Sequence, residues 1–302
     1  MALAALLGGG AAVAQAPLEQ YRGFWVDTFN TRLNSPADVA TVIARATQAR
    51  ANALFVQVRR RGDAWYLDSL EPLPDNVPVD RDFDPLRELL DRAHERGLEL
   101  HAFVIVGAAW NSLTPPADPN HVFNRHGLDP ATGRPFEDRR NWLTRTLLGD
   151  GAATSVGGYR FGNEFWIDLG HPEAADYTLQ VLMRLVTAYD LDGLHLDRIR
   201  YPEIGVSGQT PTTGSSVGYN PTSVKRFNQA AGRPTDAVPD PGDAAWSQWR
   251  RDQVTAFVRR LYLNVMAVRP RVKVSAAVVT FGAGPADEGA WVRMEPYWRV
   301  YQ

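Results

Sequence analysis

Asp197 is the residue of this sequence whose setting most favours catalysis. It ends the apolar segment Gly193–Asp197, and Arg198 and Arg200 follow it. A buried parallel strand that ends in a carboxylate carries that group to the edge of the sheet where α/β enzymes place their sites. The neighbouring arginines would keep the carboxylate ionised. We therefore predict that Asp197 is a nucleophile or general base; a helix cap or a salt-bridged structural aspartate is the alternative.

A general acid for the same site must begin protonated, so burial or a second carboxylate has to raise its pKa. Glu71 stands in an apolar stretch that could desolvate it, whereas Asp63 follows three arginines whose charge would lower its pKa. We therefore predict Glu71 as the better acid and Asp63 as a carboxylate that binds substrate. Asp287 and Glu288 remain alternatives, because they follow the fifth predicted strand.

Further polar and aromatic residues fall at or just past the ends of predicted strands. If the second strand continues through the arginines, alternation puts Gln57 and Arg59 on the inner side and Arg60 on the outer side. The residues predicted to bind substrate are Trp25, Gln57, Arg59, Tyr66, His101, Asn111, His195 and Tyr201.

Other common chemistries lack their residues. The absence of cysteine excludes thiolate catalysis, disulfides and thiolate zinc sites. The six histidines form no H-E-x-x-H or H-x-H motif, and we predict no metal; His121 and His126, with Asp118 nearby, are the alternative. The one G-x-S-x-G match, at 214–218, does not follow a predicted strand, so the chain has no nucleophile elbow; it also has no G-x-G-x-x-G after a strand and no P-loop. We therefore predict neither a serine hydrolase nor a cofactor.

Aromatic content and charge favour a carbohydrate partner. The chain has nine tryptophans and ten tyrosines, and flat aromatic rings are the surfaces on which sugars dock their C–H faces. Trp246 and Trp249 lie on a predicted helix, so we assign them to packing. A net charge of −2 with dispersed basic residues gives no footprint for nucleic acid. The sequence predicts a polysaccharide substrate and identifies no protein partner.

Alternating strand and helix patterns predict an α/β fold. The helices are expected from Pro36, from Pro85, from Pro172 to about Tyr189, and over about 244–268, each with an apolar stripe. Two long connections, roughly 107–164 and 202–240, follow strand ends and are predicted to be functional loops. The predicted strands are Arg22–Asp27, Ala53–Val58, Leu98–Val106, Gly193–Asp197 and Val272–Val279.

Residues 1–16 resemble a secretory leader. An apolar run ends in the A-x-A pattern Ala14-Gln15-Ala16, although no basic residue precedes the run and Pro17 follows the expected cut. The run is too short to span a bilayer as a helix, so we predict no integral membrane segment. The expectation is export to the periplasm or cell envelope, with a domain over 20–302.

Several blocks of the chain resemble the glycosyl-hydrolase-like family 10, in the order in which that family carries them. They include RGFWV at 22–26, the arginine run before Gly62-Asp63, and DGLHLD at 192–197 with Tyr201-Pro202. The resemblance implies a (β/α)8 TIM barrel and a bacterial envelope enzyme that cleaves peptidoglycan glycan strands stripped of their peptides. A distant likeness to the α-amylase superfamily implies the nucleophile role for Asp197.

The fifth strand departs from the α-amylase pattern, because Val279-Thr280-Phe281-Gly282 carries no glutamate where those relatives have their acid. The chain also offers about five strand–helix units, whereas a closed barrel needs eight. We therefore predict a TIM barrel that is incomplete at its C-terminus. A non-catalytic glycan-binding module of the cell envelope is the alternative function.

Overall fold

A computed structural model of the protein describes residues 20–75, 80–147, 156–202 and 216–278. Its centre is a five-stranded parallel sheet in the order β1-β2-β3-β8-β10. The strands and helices of the described residues are β1 (Gly23–Val26), α1 (Pro36–Gln48), β2 (Ala53–Arg59), α2 (Pro85–His94), β3 (Glu99–Ile105), β4 (Ala108–Trp110), α3 (Val122–His126), β5 (Thr146–Leu147), β6 (Arg160–Phe161), β7 (Glu164–Trp166), α4 (Pro172–Ala188), β8 (Gly193–Asp197), β9 (Ser216–Val217), α5 (Pro221–Ala230), α6 (Ala244–Val268) and β10 (Lys273–Ala276).

The five strands of the central sheet and the four long helices confirm the predicted α/β pattern. Helices α1, α2 and α4 each begin with a proline, which has no backbone N–H to lose at that position. Ser35 and Asp84 cap α1 and α2 by accepting from backbone N–H groups of the first turn. The local signals that mark these elements in the sequence are therefore the contacts that start them in the structure.

The two faces of the sheet differ in composition. One face and the apolar stripes of α1, α2, α4 and α6 form a large core, in which Val56, Val104 and Leu196 are fully buried. The other face carries aromatic and polar side chains, including Trp25, Phe55, Phe103 and His195, that contact one another. Among the helices that the structure describes, the long ones cover the first face, which is the arrangement of a TIM barrel with its helices outside.

The sheet is strongly curved. Strands β1 and β8 are three positions apart, so flat strands would separate them by about 14 Å. The rings of Trp25 on β1 and His195 on β8 nevertheless lie 4.7 Å apart, centroid to centroid. At the amino ends of the strands, Lys273 of β10 donates to the hydroxyl of Tyr21, which precedes β1. The edges of the sheet thus approach each other, as in part of a barrel wall.

The two long connections fold into a layer over the carboxyl ends of the strands. Strand β7 pairs antiparallel with β4 and with β6, all within the first connection. Strand β5 of the first connection pairs with β9 of the second. The short strands and helices α3 and α5 are not predicted by the sequence analysis, because elements of two to five residues, or ten residues with few apolar positions, leave little periodicity. Among the helices described, none has the length and apolar character needed to cross a bilayer.

Trp246 and Trp249 confirm their predicted packing role. Their rings stack 5.3 Å apart on α6, and both contact Phe227 of α5. This cluster attaches the second long connection to the helix layer.

The curvature generates a stability prediction at Gly193. A Cβ built there lies 2.0 Å from Nδ1 of His101, so Gly193→Ala must displace the imidazole ring. We expect the free energy of unfolding to fall by about 1–3 kcal/mol, the usual cost of overpacking. Urea unfolding would measure the loss. The double variant Gly193→Ala with His101→Ala should lose less than the sum of the two single variants; strictly additive losses would contradict the overlap.

Candidate active site

Asp197 lies at the carboxyl end of β8 and is partly exposed. Its Oδ1 accepts a hydrogen bond of 2.8 Å from the backbone N–H of Arg198. Arg198 adopts the left-handed backbone conformation, with φ of 51°, which costs a non-glycine residue about 1–3 kcal/mol. The strained turn fixes the Asp197 carboxylate at the edge of the central sheet where the carboxyl ends of the parallel strands lie. We call this edge the mouth.

A second carboxylate, Glu164, reaches the same place from β7. Its Oε2 accepts from the guanidinium of Arg198 and, at 3.2 Å, from Nε1 of Trp166. Arg198 therefore contacts Asp197 through its backbone and Glu164 through its side chain. The sequence analysis missed Glu164 because the residue sits in a three-residue strand inside a long connection, away from the ends of the main strands.

A β-bulge at the end of β2 changes which way the arginines face. Gln57 pairs with Phe103, but Arg59 pairs with Val104, so the register shifts by one residue between them. Val104 lies in the core between sheet and helices, and a one-residue shift sends a side chain to the opposite face. The prediction that Arg59 faces inward is therefore wrong.

Arg59 and Glu71 form a fully buried ion pair. Nε and Nη2 of Arg59 donate to the two carboxylate oxygens, each over 2.7 Å. Tyr177 of α4 lies 3.4 Å from Oε1 of Glu71. Burial alone lowers the pKa of Arg59, but Glu71 raises it above its ordinary value. Each group is engaged by the other, which disfavours a substrate contact for Arg59 and the predicted acid role of Glu71.

Arg60 is also buried. Its guanidinium lies between the rings of Phe29 and Trp65, 4.6 and 4.5 Å from their centroids. The turn that follows needs Gly62, whose φ is +76° and whose missing Cβ would lie 2.8 Å from Val122. This turn packs the end of β2 against α3.

Asp63 closes this turn and is buried. Its Oδ1 accepts from the backbone N–H of Arg61 at 3.1 Å. Burial raises the pKa of Asp63, and this effect outweighs the charges of Arg60 and Arg61 that lower it. The prediction that the pKa of Asp63 is lowered overall is therefore wrong, because the sequence shows the charge of the arginines but not the depth at which the carboxylate lies.

Four other predicted substrate-binding residues are buried and make contacts within the protein, and their contact with a sugar stays a prediction. Gln57 accepts from the N–H and hydroxyl of Thr28, over 3.0 and 2.7 Å. Tyr66 packs edge-on against Tyr189 in the core. His101 contacts Glu99 at 3.1 Å. Tyr201 donates to Asp168 at 3.3 Å.

Three predicted residues keep an open role. Trp25 is 53% exposed and presents a flat ring, and Asn111 is partly exposed after β4. His195 lies on the inner face of the sheet with Nδ1 2.8 Å from the Ser275 hydroxyl. Burial lowers the pKa of His195, although Asp197 opposes the effect. Their contact with substrate stays a prediction.

Asp168 joins the two long connections. This fully buried carboxylate accepts from the N–H of Gly170 at 2.8 Å, the hydroxyl of Ser223 at 3.0 Å and Tyr201. Burial raises its pKa to about 6, against the hydrogen bonds that lower it. The group ties the layer above the mouth together.

The histidines of the first connection do not form a metal site. In the described ranges, no three histidine or acidic side chains are placed to hold a metal ion. His121 caps α3 by accepting from the N–H of Phe123, and His126 stacks on Trp142. Burial lowers the pKa of both imidazoles to about 4.

Comparison with known proteins identifies the family. The family model for glycosyl hydrolase-like 10 matches residues 20–282. The chain belongs to the glycosyl hydrolase-like 10 family. Among relatives of this family, glycosyl hydrolase YngK of Bacillus subtilis is 25% identical over 244 residues, which cover 80% of this chain and 37% of YngK. Glycosyl hydrolase DigH of Escherichia coli K12 is 23% identical over 303 residues, which cover 93% of this chain and 58% of DigH.

Solved structures confirm the fold of this glycosyl hydrolase-like 10 member. The glycoside hydrolase domain of PgaB (BpsB) from Bordetella bronchiseptica matches with a TM-score of 0.54 and 16% identity, covering 93% of this chain and 69% of that one. Alpha-L-fucosidase isoenzyme 2 from Paenibacillus thiaminolyticus matches with a TM-score of 0.52 and 17% identity, covering 86% and 33%. These are TIM-barrel glycoside hydrolases, and the described residues supply five parallel strands of that fold.

The Arg59–Glu71 pair predicts the outcome of Glu71→Gln. Removing one partner leaves a buried charge uncompensated, so we expect a loss of about 3–5 kcal/mol in the free energy of unfolding. Glu173→Gln removes the carboxylate of an exposed pair with Arg139 and should cost under about 1 kcal/mol. Urea unfolding of both variants makes the comparison. A Glu71→Gln variant as stable as the native chain but inactive would restore the acid role.

Asp168 predicts a pH dependence of stability. Between an unfolded pKa near 3.9 and a folded pKa of about 6, the folded state binds the proton more tightly. Stability should therefore fall as pH rises from 4 to 6, by about 3 kcal/mol for a shift of about 2 units. Asp168→Asn should remove this fall, while Asp236→Asn, at an exposed position, should retain it. Unfolding midpoints in urea at pH 4, 5, 6 and 7 test this, and an unchanged profile in Asp168→Asn would contradict it.

Proposed function

We propose that this chain is a glycoside hydrolase acting on β-1,4-linked amino-sugar glycans, with peptide-stripped peptidoglycan strands as its substrate. The position of Asp197 carries the proposal. The carboxylate ends a central strand of a TIM-barrel fold, is partly exposed, and is fixed by the backbone of a strained arginine. Membership of a glycosyl hydrolase-like family and the names of its relatives support the reaction class. The chain spans only 37–58% of the length of those relatives.

The proposed chemistry uses Asp197 in its ionised form. The carboxylate would attack the anomeric carbon directly, or would take a proton from a water that attacks it. A nucleophile requires its acid partner about 5–5.5 Å away and a base about 6.5–9.5 Å away, so the two routes give retained or inverted products. Arg198 holds this carboxylate through its backbone N–H and binds Glu164 through its guanidinium. Both residues therefore position Asp197.

The contacts of Glu71 and Asp63 change which of the two we propose as the general acid. Glu71 accepts hydrogen bonds from Arg59 with both carboxylate oxygens and has none left to offer a leaving group. Asp63 has the raised pKa that an acid needs, so it becomes the preferred acid of the two. Asp287 and Glu288 lie outside the described residues and remain candidates with it.

Asp197→Asn tests the proposal. It removes the ionised oxygen with little change in shape, so we expect release of reducing ends from peptide-free glycan strands to fall at least about 100-fold. Asp190→Asn is the matched control in the loop before the same strand, where Asp190 forms an exposed pair with Arg269. The control should retain native turnover.

The outcome also separates hydrolysis from binding. Undiminished turnover in Asp197→Asn would reject Asp197 as nucleophile or base. Glycan binding by calorimetry without any release of reducing ends by the native chain would instead support a non-catalytic glycan-binding module. The anomeric configuration of the first product, read by proton NMR, distinguishes nucleophile from base.

Export to the cell envelope is part of the proposal, because the proposed substrate is located there. It is supported by the apolar run and the A-x-A pattern of residues 2–16. N-terminal sequencing of the protein recovered from its native host should find cleavage after Ala16; an intact leader on protein in the soluble cell fraction would refute it.

A further inference from the structure

Arg61 is a buried cation whose guanidinium forms no hydrogen bond and no ion pair with the residues that the structure describes. The residue is 5% exposed, and its Nε is buried with no hydrogen-bond partner among the described residues. Within the same residues the guanidinium forms no ion pair, unlike the Arg59 guanidinium two positions earlier. An arginine stays charged in proteins, and a buried charge without a partner is costly.

The guanidinium of Arg61 lies at the mouth. It packs over the ring of Phe29, 5.3 Å from its centroid, and Phe29 is 53% exposed in the loop after β1. The charges of Asp63, Glu164 and Arg198 act on the guanidinium, so it lies near the ion pair that Arg198 forms with Glu164. Glu164 is already bound by Arg198 and Trp166, and Asp63 by the backbone of Arg61. The carboxylates nearby are therefore engaged elsewhere.

The backbone holds Arg61 in this position. The bulge in β2 and the turn at Gly62 place it between Arg60, which stacks on Phe29 and Trp65, and Asp63. A glycan docked on the exposed ring of Phe29 would lie next to the guanidinium that packs on that ring. Aromatic rings receive the C–H face of a sugar, and the planar fork of arginine matches a carboxylate.

We propose that Arg61 binds a carboxylate carried by the glycan, so that the substrate of this site is an acidic amino sugar rather than a neutral one. This inference rests on the proposed function for its substrate class. In a peptide-stripped peptidoglycan strand the carboxylate is the lactyl group of the muramic acid residue, which is free only when the peptide is absent. The contact would therefore distinguish stripped strands both from peptide-bearing strands and from neutral glycans.

The test pairs a change in the protein with a change in the ligand. Two probes are used: short peptide-free glycan strands with free lactyl carboxylates, and the same strands with those groups converted to the primary amide. Calorimetry on the native chain should show about 10-fold weaker binding or more for the amide, as loss of a charge-assisted pair predicts. Arg61→Gln should bind the acid and the amide equally, and both weakly.

Arg96→Gln is the matched control, because Arg96 is exposed before β3 at the opposite end of the strands. It should discriminate between the probes as the native chain does. Arg61→Lys keeps the charge without the fork and should retain only part of the preference; it also serves if Arg61→Gln fails to fold. Equal binding of both probes to the native chain, absence of binding, or a full preference for the acid in the Arg61 variants would overturn the proposal.

Failure of this inference differs from failure of the proposed function. Binding is measured without turnover, so a native chain that prefers the acid but releases no reducing ends would keep the carboxylate contact and lose the hydrolase. A native chain that cleaves acid and amide strands equally would keep the hydrolase and lose the contact.

Discussion

The bulge at the end of β2 is the constraint on which the rest of the site depends. Without it, Arg59 would continue the alternation and face the inner side with Gln57. The shift instead sends Arg59 to the helix side, where Glu71 binds it in a dry bidentate pair. It also releases the next residues from the ladder, so that Arg60 and Arg61 stack on Phe29 over the mouth. Because of this one extra residue, Arg59 forms a buried ion pair, whereas Arg60 and Arg61 pack at the candidate site.

The curvature of the central sheet is the second constraint on the geometry of the site. Because the sheet bends, β1 and β8 bring Trp25 and His195 into contact, and the loop after β1 reaches over the end of β2. Gly193 permits this close packing, because its missing side chain leaves the space that the His101 ring occupies. The long connections then close over the same edge through the β5–β9 pair and the buried Asp168. The mouth is therefore built from segments far apart in sequence.

The sequence predicted those parts of the molecule that repeat a local pattern. Apolar strands and capped amphipathic helices were located correctly, because their spacing and their first-turn prolines are visible in the chain. Asp197 was placed at a strand end for the same reason. The orientation of Arg59 was missed because a bulge has no sequence signal in this stretch, and the pKa of Asp63 was missed because burial depends on distant segments. Glu164 was missed since its role arises only when a three-residue strand pairs beneath Arg198.

The two ends of the sheet treat charge differently, and this contrast supports a functional reading of the mouth. At the amino ends, Lys273 binds Glu99, Arg269 binds Asp190 and His94 contacts Asp192. At the carboxyl ends, Arg198 is held in a strained conformation, and the buried guanidinium of Arg61 forms no ion pair or hydrogen bond with the described residues. Strain and unpaired buried charge both reduce stability, and they persist where a site needs them. The carboxyl end also holds the Arg59–Glu71 and Arg198–Glu164 pairs, so the contrast rests on the strained turn after Asp197 and on the guanidinium of Arg61, and both favour a site at this edge.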